Sequence, residues 1–293
     1  MKKIAWKPAA CFCVALLLCL PILTGCDMFP KSSKGLEFTS NGDGTCYVSG
    51  IGECTDADIV IPKKSPEGDR VKSIGIAAFR DCIGLTSITI LDSVTSIGDM
   101  AFEGCTSLMS ITIPDSVTYI GGKAFSSCHG LTSIVIPDGV TRIGEMVFKD
   151  CTGLANIEVA ESNSVYHSQG NCIIETESKI LIAGCQNSVI PDDGSVTSIG
   201  WGAFKYCGLT SITIPDSVTR IEDEAFAGCT GLTSITIPDS VTRIDDKAFA
   251  NCTGLKDVTY TGTRLKWSTV DVGLGNKLLR SATIHCTDGD ITP

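Results

Sequence analysis

Residues 117–139 read VTYIGGKAFSSCHGLTSIVIPDG, and the letters of this stretch return along most of the chain. The copies begin at valines that are 23 or 22 residues apart within each run: Val71, Val94, Val117 and Val140, then Val196, Val218 and Val241. A fixed period of about 20 to 30 residues indicates stacked coils, each in contact only with its neighbours. The chain is therefore expected to form a solenoid.

One coil reads Val-Thr-x-Ile-Gly-x-x-Ala-Phe-x-x-Cys-x-x-Leu-Thr-Ser-Ile-Thr-Ile-Pro-Asp-Ser. Its Leu-x-Ser-Ile-Thr-Ile segment alternates with a period of two, which predicts a strand with isoleucine facing inward. The proline and the Asp-Ser that follow turn the chain. Glycine and the Ala-Phe-x-x-Cys segment predict a bend and one helical turn. The expected fold is a repeat solenoid of 22- to 23-residue coils with a parallel β-sheet on one face, mostly β and irregular with short helical turns.

The coil resembles the BspA-like, or Treponema-type, leucine-rich repeats of bacterial surface proteins. The matching runs, Ile-Gly-x-x-Ala-Phe-x-x-Cys-x-x-Leu-x-Ser-Ile-x-Ile-Pro, start at Ile74, Ile97, Ile120, Ile143, Ile199, Ile221 and Ile244. Leu91 replaces proline, Val147 replaces alanine, and the copy at Ile199 lacks one residue before Leu209. The resemblance implies a leucine-rich repeat array that adheres to host proteins or other cells.

The first residues have the layout of a secretory signal: three lysines by position 7, an apolar run over 9–20, and Leu-Thr-Gly-Cys ending at Cys26. This ending resembles the lipobox of bacterial lipoproteins. The resemblance implies cleavage before Cys26, lipid on its sulfur and attachment to a bacterial membrane, with the cell surface as the expected location. An uncleaved anchor or an ordinary signal is the alternative.

The remaining organisation follows from where the period holds and where it breaks. The predicted parts are a signal peptide (1–25), a flexible tether (26–35), an N-terminal hairpin and capping half-repeat (36–70), regular repeats (71–154), an irregular repeat with a hairpin insertion (155–195), regular repeats (196–255) and a C-terminal cap (256–293). The insertion is either a protruding binding element or a tolerated insertion that bends the stack. Trp267 is interpreted as a lid over the last coil, with a ligand-stacking platform as the alternative.

Seven of the sixteen cysteines share one position of the repeat: Cys82, Cys105, Cys128, Cys151, Cys207, Cys229 and Cys252. Even spacing in an exported protein suggests disulfides, but each of these residues has equivalent neighbours above and below, so unpaired core thiols are favoured. The cysteines off this position, Cys46, Cys172 and Cys286, are the better candidates for a bridge. No metal site is expected, because only three histidines occur and Cys-x-x-Cys is absent after Cys26.

Neither catalysis nor a cofactor is predicted. His129 follows Cys128, but adjacent residues of a coil point apart and the cysteine is expected to face inward. Aspartates recur after the strands and are interpreted as turn caps, with calcium bridging as the alternative. The net charge of −10 argues against a nucleic-acid partner, since affinity for phosphates comes from Lys and Arg.

The candidate binding face consists of the outward residues of the predicted strands. They are Ser87, Thr89, Ser110, Thr112, Ser133, Val135, Asn156, Glu158, Ser211, Thr213, Ser234, Thr236, Asp257 and Thr259. These residues are also ordinary exposed strand residues, so both interpretations stay open. The leading hypothesis is a non-catalytic, lipid-anchored surface scaffold that binds an unknown protein, such as a host matrix or cell-surface protein. The alternatives are a self-associating envelope component and a carbohydrate-directed protein, which would need exposed aromatic rings and paired carboxylates.

Overall fold

The computed structural model describes residues 32–293, so the predictions for the signal segment and for Cys26 lie outside the described residues. The first strands are β1 (Glu37–Ser40), β2 (Thr45–Gly50), β3 (Asp58–Val60), β4 (Arg70–Ile74), β5 (Ser87–Thr89), β6 (Ser96–Ile97), β7 (Ser110–Thr112), β8 (Tyr119–Ile120), β9 (Ser133–Ile136), β10 (Arg142–Ile143) and β11 (Asn156–Val159). They are followed by β12 (Tyr166–Gln169), β13 (Cys172–Glu175), β14 (Ile180–Gly184), β15 (Ser198–Ile199), β16 (Ser211–Thr213), β17 (Arg220–Ile221), β18 (Ser234–Ile237), β19 (Arg243–Ile244), β20 (Asp257–Tyr260), α1 (Arg264–Trp267), β21 (Asp271–Val272), α2 (Lys277–Arg280), β22 (Thr283–Cys286) and β23 (Gly289–Ile291).

The coils stack through two columns of parallel strands. The Ser-Ile-Thr segments form the hydroxyl ribbon, which comprises β3, β5, β7, β9, β11, β16, β18, β20 and β22 and is broken between β7 and β9 and between β11 and β16. The Val-Thr-x-Ile segments form the glycine ribbon, named for the residue that follows most of its strands: β4, β6, β8, β10, β15, β17, β19 and β21. Pairing keeps equal repeat positions side by side, as for Ile88 with Ile111 and Ile97 with Ile120. The structure confirms the predicted solenoid and its parallel sheet, and adds a second parallel column.

The core consists of side chains that repeat from coil to coil. The strand isoleucines are buried: Ile88, Ile111, Ile134, Ile157, Ile212 and Ile235. Phenylalanine rings stack with centroids 5.2 to 5.8 Å apart in two columns, Phe79–Phe102–Phe125–Phe148 and Phe204–Phe226–Phe249. Burying one such side chain stabilises a fold by about 2 kcal/mol, so each isoleucine and phenylalanine of these columns stabilises the stack.

The Ala-Phe-x-x-Cys segments are tight turns rather than the expected helical turns. Met100 and Lys123 have φ of +56° and +55°, in the left-handed region that non-glycine residues seldom adopt. The amide of Met100 donates to the carbonyl of Gly122 in the next coil at 2.9 Å, and Lys123 donates to Glu145 at 3.0 Å. These hydrogen bonds join each turn to the next coil. Within residues 32–293 the α-helices are α1 and α2, and both follow the last regular coil.

The period is interrupted by two antiparallel hairpin connections. β12 pairs with β13, and β13 pairs with β14, both in antiparallel orientation. β14 then pairs in parallel with β15, with Leu181 beside Ile199, and so occupies the place of a glycine-ribbon strand. The amide of Asp150 donates to the carbonyl of Lys205 at 3.1 Å, so the turns on either side of the interruption stay in direct contact.

Both ends of the stack are covered. At the start, the antiparallel hairpin β1–β2 pairs in parallel with β4. At the other end, Trp267 packs edge-on against the buried ring of Tyr260 with 4.9 Å between ring centroids. This contact agrees with the interpretation of Trp267 as a lid, and β22 and β23 close the hydroxyl ribbon beside β20.

Candidate functional site

The predicted binding face lies on the hydroxyl ribbon. Strand alternation turns the isoleucines inward and leaves the residues before and after them outward. Twelve of the fourteen predicted residues are exposed, and Ser87 and Thr236 are half-buried. The two breaks of the ribbon divide these residues into three groups, on β5–β7, on β9–β11 and on β16–β18–β20.

The chemistry of the face changes along the ribbon. Pairing sets Ser87 beside Ser110 and Thr89 beside Thr112, so the first group presents only hydroxyls. In the second group Val135 is paired with Glu158, whose carboxylate accepts a bond from the Asn156 amide at 3.0 Å. The centre of the face is therefore less uniform than its first end.

At the far end of the face, a histidine of β22 joins two aspartates. The ring nitrogens of His285 lie 3.2 Å from Asp257 Oδ1 and 3.0 Å from Asp290 Oδ1. The hydrogen bond to Asp257, and after it the bond to Asp290, raises the pKa of His285. This group extends the candidate face by one strand. The repeat pattern did not predict it, because Asp257 lies 28 residues before His285, and His285 and Asp290 lie after the last regular coil.

The cysteine column is part of the core. The thiols of Cys105, Cys128 and Cys151 donate to the phenylalanine carbonyls of the preceding coil with Sγ···O distances of 2.9 to 3.1 Å, and Cys229 and Cys252 do the same at 3.0 Å. Burial raises their pKa values, to about 11 for Cys252 and about 12 for Cys151. These thiols are poor nucleophiles, since reaction requires the thiolate.

No disulfide joins the three off-column cysteines that were the better candidates for a bridge. Cys46, Cys172 and Cys286 are free thiols on β2, β13 and β22, which belong to the start, the interruption and the end of the stack. His129 contacts Thr152 at 3.3 Å rather than Cys128, whose thiol faces inward, so these neighbours form no nucleophile pair. Among the described residues, no group of three or more His, Cys, Asp or Glu side chains could hold a metal ion.

The glycine ribbon carries a cleft that the sequence did not predict. It has a volume of about 600 Å³ and lies where the interruption separates β10 from β15. Trp201, 43% exposed, forms one wall, and Tyr119 and Arg142 form the other. These residues occupy variable positions of the repeat, on coils that an insertion separates. The repeat pattern therefore does not predict that they lie close together.

Polar groups inside this cleft are held in fixed positions. The Tyr119 hydroxyl and the Gly122 amide both donate to Oδ1 of Asp99 at 2.8 Å. The Arg142 guanidinium lies over the Tyr119 ring, 5.3 Å from its centroid. Burial, together with the bond to Asp99, raises the pKa of Tyr119. Glu145 supplies a second carboxylate to the lining, so the cleft combines aromatic faces with oriented hydrogen-bonding groups, as small-ligand sites do.

Within residues 32–293, no helix has the length and apolar character needed to cross a bilayer. No curated protein compared with the chain matches it significantly. The solenoid is similar to a leucine-rich repeat protein from Eubacterium ventriosum, with a TM-score of 0.57 and 27% identity over 78% of this chain and 71% of that one.

Two further solved structures are similar. The leucine-rich repeat protein TpLRR of T. pallidum gives a TM-score of 0.49 and 26% identity over 77% of this chain and 91% of that one. The pneumococcal vaccine antigen PcpA gives a TM-score of 0.59 and 19% identity over 79% of this chain and 68% of that one, which is a likeness of fold alone. The sequence model of the BspA type leucine-rich repeat region matches residues 72–193 and 183–268, with six copies. Because these matches span more than half of the sequence, the chain belongs to the BspA-type leucine-rich repeat family.

Proposed function

We propose that this protein is a non-catalytic scaffold at the bacterial cell surface that binds another protein through the hydroxyl ribbon. The observation that carries the proposal is the regular outward display of side chains on paired strands, such as Ser211 beside Ser234 and Ser234 beside Asp257. Paired strands hold these groups in place before binding, so little conformational entropy is lost when a partner docks.

The surroundings of the three histidines support a role without catalysis. His129 and His167 contact the hydroxyls of Thr152 and Thr176, and His285 contacts two aspartates. None of these contacts joins a histidine to a cysteine, and burial raises the pKa of column thiols such as Cys128. His129 and His167 contact no carboxylate among the described residues, and His285 contacts no hydroxyl or thiol there, so no nucleophile, base and orienting group come together.

Binding is tested by placing a bulky charge on the ribbon. The protein is assayed against panels of matrix and cell-surface proteins, and the double variant Thr112→Arg, Thr259→Arg is compared with Thr106→Arg, Thr253→Arg. All four threonines are exposed, but the second pair lies in the turns after the column cysteines. The ribbon variant should lose at least about tenfold in affinity, with the turn variant unchanged. Equal affinities, or no saturable ligand in the panels, would contradict the proposal.

The surface location rests on the lipobox-like ending at Cys26. In a bacterial host, an alkyne fatty acid should label the wild-type protein and leave Cys26→Ala unlabelled. The bound acyl chains would hold the protein on a membrane, because each buried methylene contributes about 0.8 kcal/mol. Label that persists in Cys26→Ala would exclude this anchor.

A second candidate function, carbohydrate binding, is favoured by the cleft at Trp201. The requirement stated from the sequence was exposed aromatic rings with paired carboxylates, and this cleft combines Trp201 and Tyr119 with Asp99 and Glu145. A glycan array probed with wild type, Trp201→Ala and Ile76→Ala tests it. Ile76 is the matched control because it is 68% exposed and also follows the ribbon glycine. Binding that survives Trp201→Ala, or is absent from the array, would count against this function.

A further inference from the structure

The second break of the hydroxyl ribbon leaves an open seam between two coils. On one side lies the segment 188–191, and on the other lies β16, the first strand of its sheet, whose strand partner is β18. The cleft between them has a volume of about 590 Å³. We name this opening the seam.

A deletion in the sequence lies directly before β16. Leu209 follows Cys207 after one intervening residue, whereas two residues separate Cys128 from Leu131 and Cys229 from Leu232. In those longer turns the leucine amide donates to the cysteine carbonyl at 3.1 Å, a bond that Leu209 does not make. β16 therefore starts without this bond.

Backbone groups on both sides of the seam lack strand partners. Thr210 and Ile214 are bonded toward β18, through Thr233 at 3.1 Å and Thr236 at 3.0 Å, so alternation turns the amides and carbonyls of Ser211 and Thr213 toward the seam. Across it, the Ile190 amide has no acceptor in the described chain, although the equivalent Ile61 amide donates to Thr89 at 3.1 Å. Unpaired strand edges are templates for an added strand.

We propose that the seam accepts an extended peptide segment of a protein partner, which pairs with the backbone of Ser211 and Thr213. The inference rests on the proposed protein-binding function and adds the mode of recognition. A residue in a sheet occupies about 160 Å³, from a rise of 3.3 Å, a strand spacing of 4.8 Å and a layer spacing of 10 Å, so the seam has room for about four residues. In this mode the main chain supplies affinity, and alternate side chains supply selectivity.

The lining defines the side chains that the segment should carry. Val189, 69% exposed, offers an apolar contact for an outward side chain. Asp192 is the charged residue of the lining, and hydrogen bonds to Ser195 hold the pKa of the neighbouring Asp193 at about 2, so that it stays ionised. The segment is therefore expected to have small apolar or hydroxyl residues between Lys or Arg residues. A second copy of this chain fits less well, because each copy carries a net charge of −10.

The test uses the blocked peptide Lys-Val-Thr-Val-Thr-Lys, measured by calorimetry and by hydrogen exchange of the protein. Binding should slow exchange at the amides of Ser211 and Thr213. A peptide methylated on alternate backbone nitrogens, and one with Glu in place of Lys, should each bind at least about tenfold more weakly. Protection elsewhere, equal binding of the methylated peptide, or self-association in place of peptide binding would overturn the proposal.

Variants at one position separate the backbone from the side chain. Thr213→Pro removes an amide that faces the seam, at an edge-strand position that tolerates proline, and should weaken peptide binding by about three- to tenfold. Thr213→Ser keeps both the amide and the hydroxyl and should bind as wild type does. Equal binding by both variants contradicts pairing at the seam. If Thr112→Arg, Thr259→Arg abolishes partner binding while Thr213→Pro does not alter it, the seam is wrong and the ribbon function stands.

Discussion

The thiol of Cys128 donates a hydrogen bond to the backbone carbonyl of Phe102, in the preceding coil, with an Sγ···O distance of 3.1 Å. The side chain of Cys128 is fully buried, and this burial raises its pKa far above the usual range. A thiol in this setting serves as a small apolar residue that also satisfies a carbonyl. The even spacing of these cysteines reflects packing rather than cross-linking.

Thiol labelling checks this role. Brief treatment of the native protein with iodoacetamide should leave Cys105, Cys128 and Cys229 unmodified, because they are buried and protonated. The half-buried Cys82 and Cys286 should react first. Peptide mass spectrometry gives the order, and labelling of all cysteines after denaturation is the control. Uniform labelling of the native protein would mean that the column opens to solvent.

The same thiols predict a loss of stability in alkali. Their folded pKa values lie above the usual 9.0, for example about 11 in Cys252 and about 12 in Cys207. A raised pKa means that stability is complete below pH 9 and is lost as pH rises through the folded value. Each such thiol lowers the free energy of unfolding by up to about 1.4 kcal/mol per pH unit above 9. Urea unfolding at a series of pH values measures the slope, which should become smaller in Cys252→Ala; an unchanged slope would contradict the prediction.

The repeat pattern predicts the fold because each inward position is set by local spacing. Ile134, Phe125 and Cys128 are buried where the period of the coil puts them. The turn conformation was not predictable in this way. Lys123 has φ of +55° although nothing about lysine favours the left-handed region, and the reason is its bond to Glu145 in the next coil. A constraint imposed by a neighbouring coil leaves no mark in the local sequence.

The candidate face also has one part that the local sequence predicts and another part that depends on neighbouring coils. Outward positions such as Thr112 and Thr213 follow from strand alternation and are exposed as predicted. The Trp201 cleft depends on how an insertion displaces two coils, and a repeat template carries no information about that displacement. The one-residue deletion before Leu209 was visible in the sequence, but its consequence for β16 required the pairing of the strands.

A methyl group added at Gly184, in β14, should destabilise the part of the chain where the period is interrupted. A β-carbon at Gly184 would lie 2.0 Å from Cε1 of Phe204, a buried ring that stacks on Phe226. Gly184→Ala should therefore lower the free energy of unfolding by about 1–3 kcal/mol. The control is Gly84→Ala, since a β-carbon there meets nothing within 4 Å, and this variant should be neutral or up to about 1 kcal/mol more stable. Equal urea midpoints would show that Gly184 does not limit the packing.

Truncating a central ring tests how far a defect spreads. Phe125 stacks between Phe102 and Phe148 with centroid distances of 5.5 and 5.8 Å. Phe125→Ala should cost about 3–5 kcal/mol, and because coils contact only their neighbours, amide exchange should accelerate in residues 94–159 far more than in 218–255. Phe249→Ala is the matched variant, and it should accelerate amide exchange in residues 218–255 far more than in 94–159. Uniform acceleration in both variants would mean that the array unfolds as one unit.

The last strand pair should respond to pH through His285. Its contacts with Asp257 and Asp290 raise its pKa above the usual 6.5, so the proton is held more tightly in the folded state. The stabilisation of β22 and β23 is therefore complete below about pH 6.5 and is lost as pH rises through the folded pKa. NMR titration of the His285 ring should give a pKa above 6.5 that falls in both Asp257→Asn and Asp290→Asn. In His285→Gln, the stability of this hairpin should no longer change over the same pH range. If neither Asp257→Asn nor Asp290→Asn changes the titration curve of His285, the two contacts carry no electrostatic coupling.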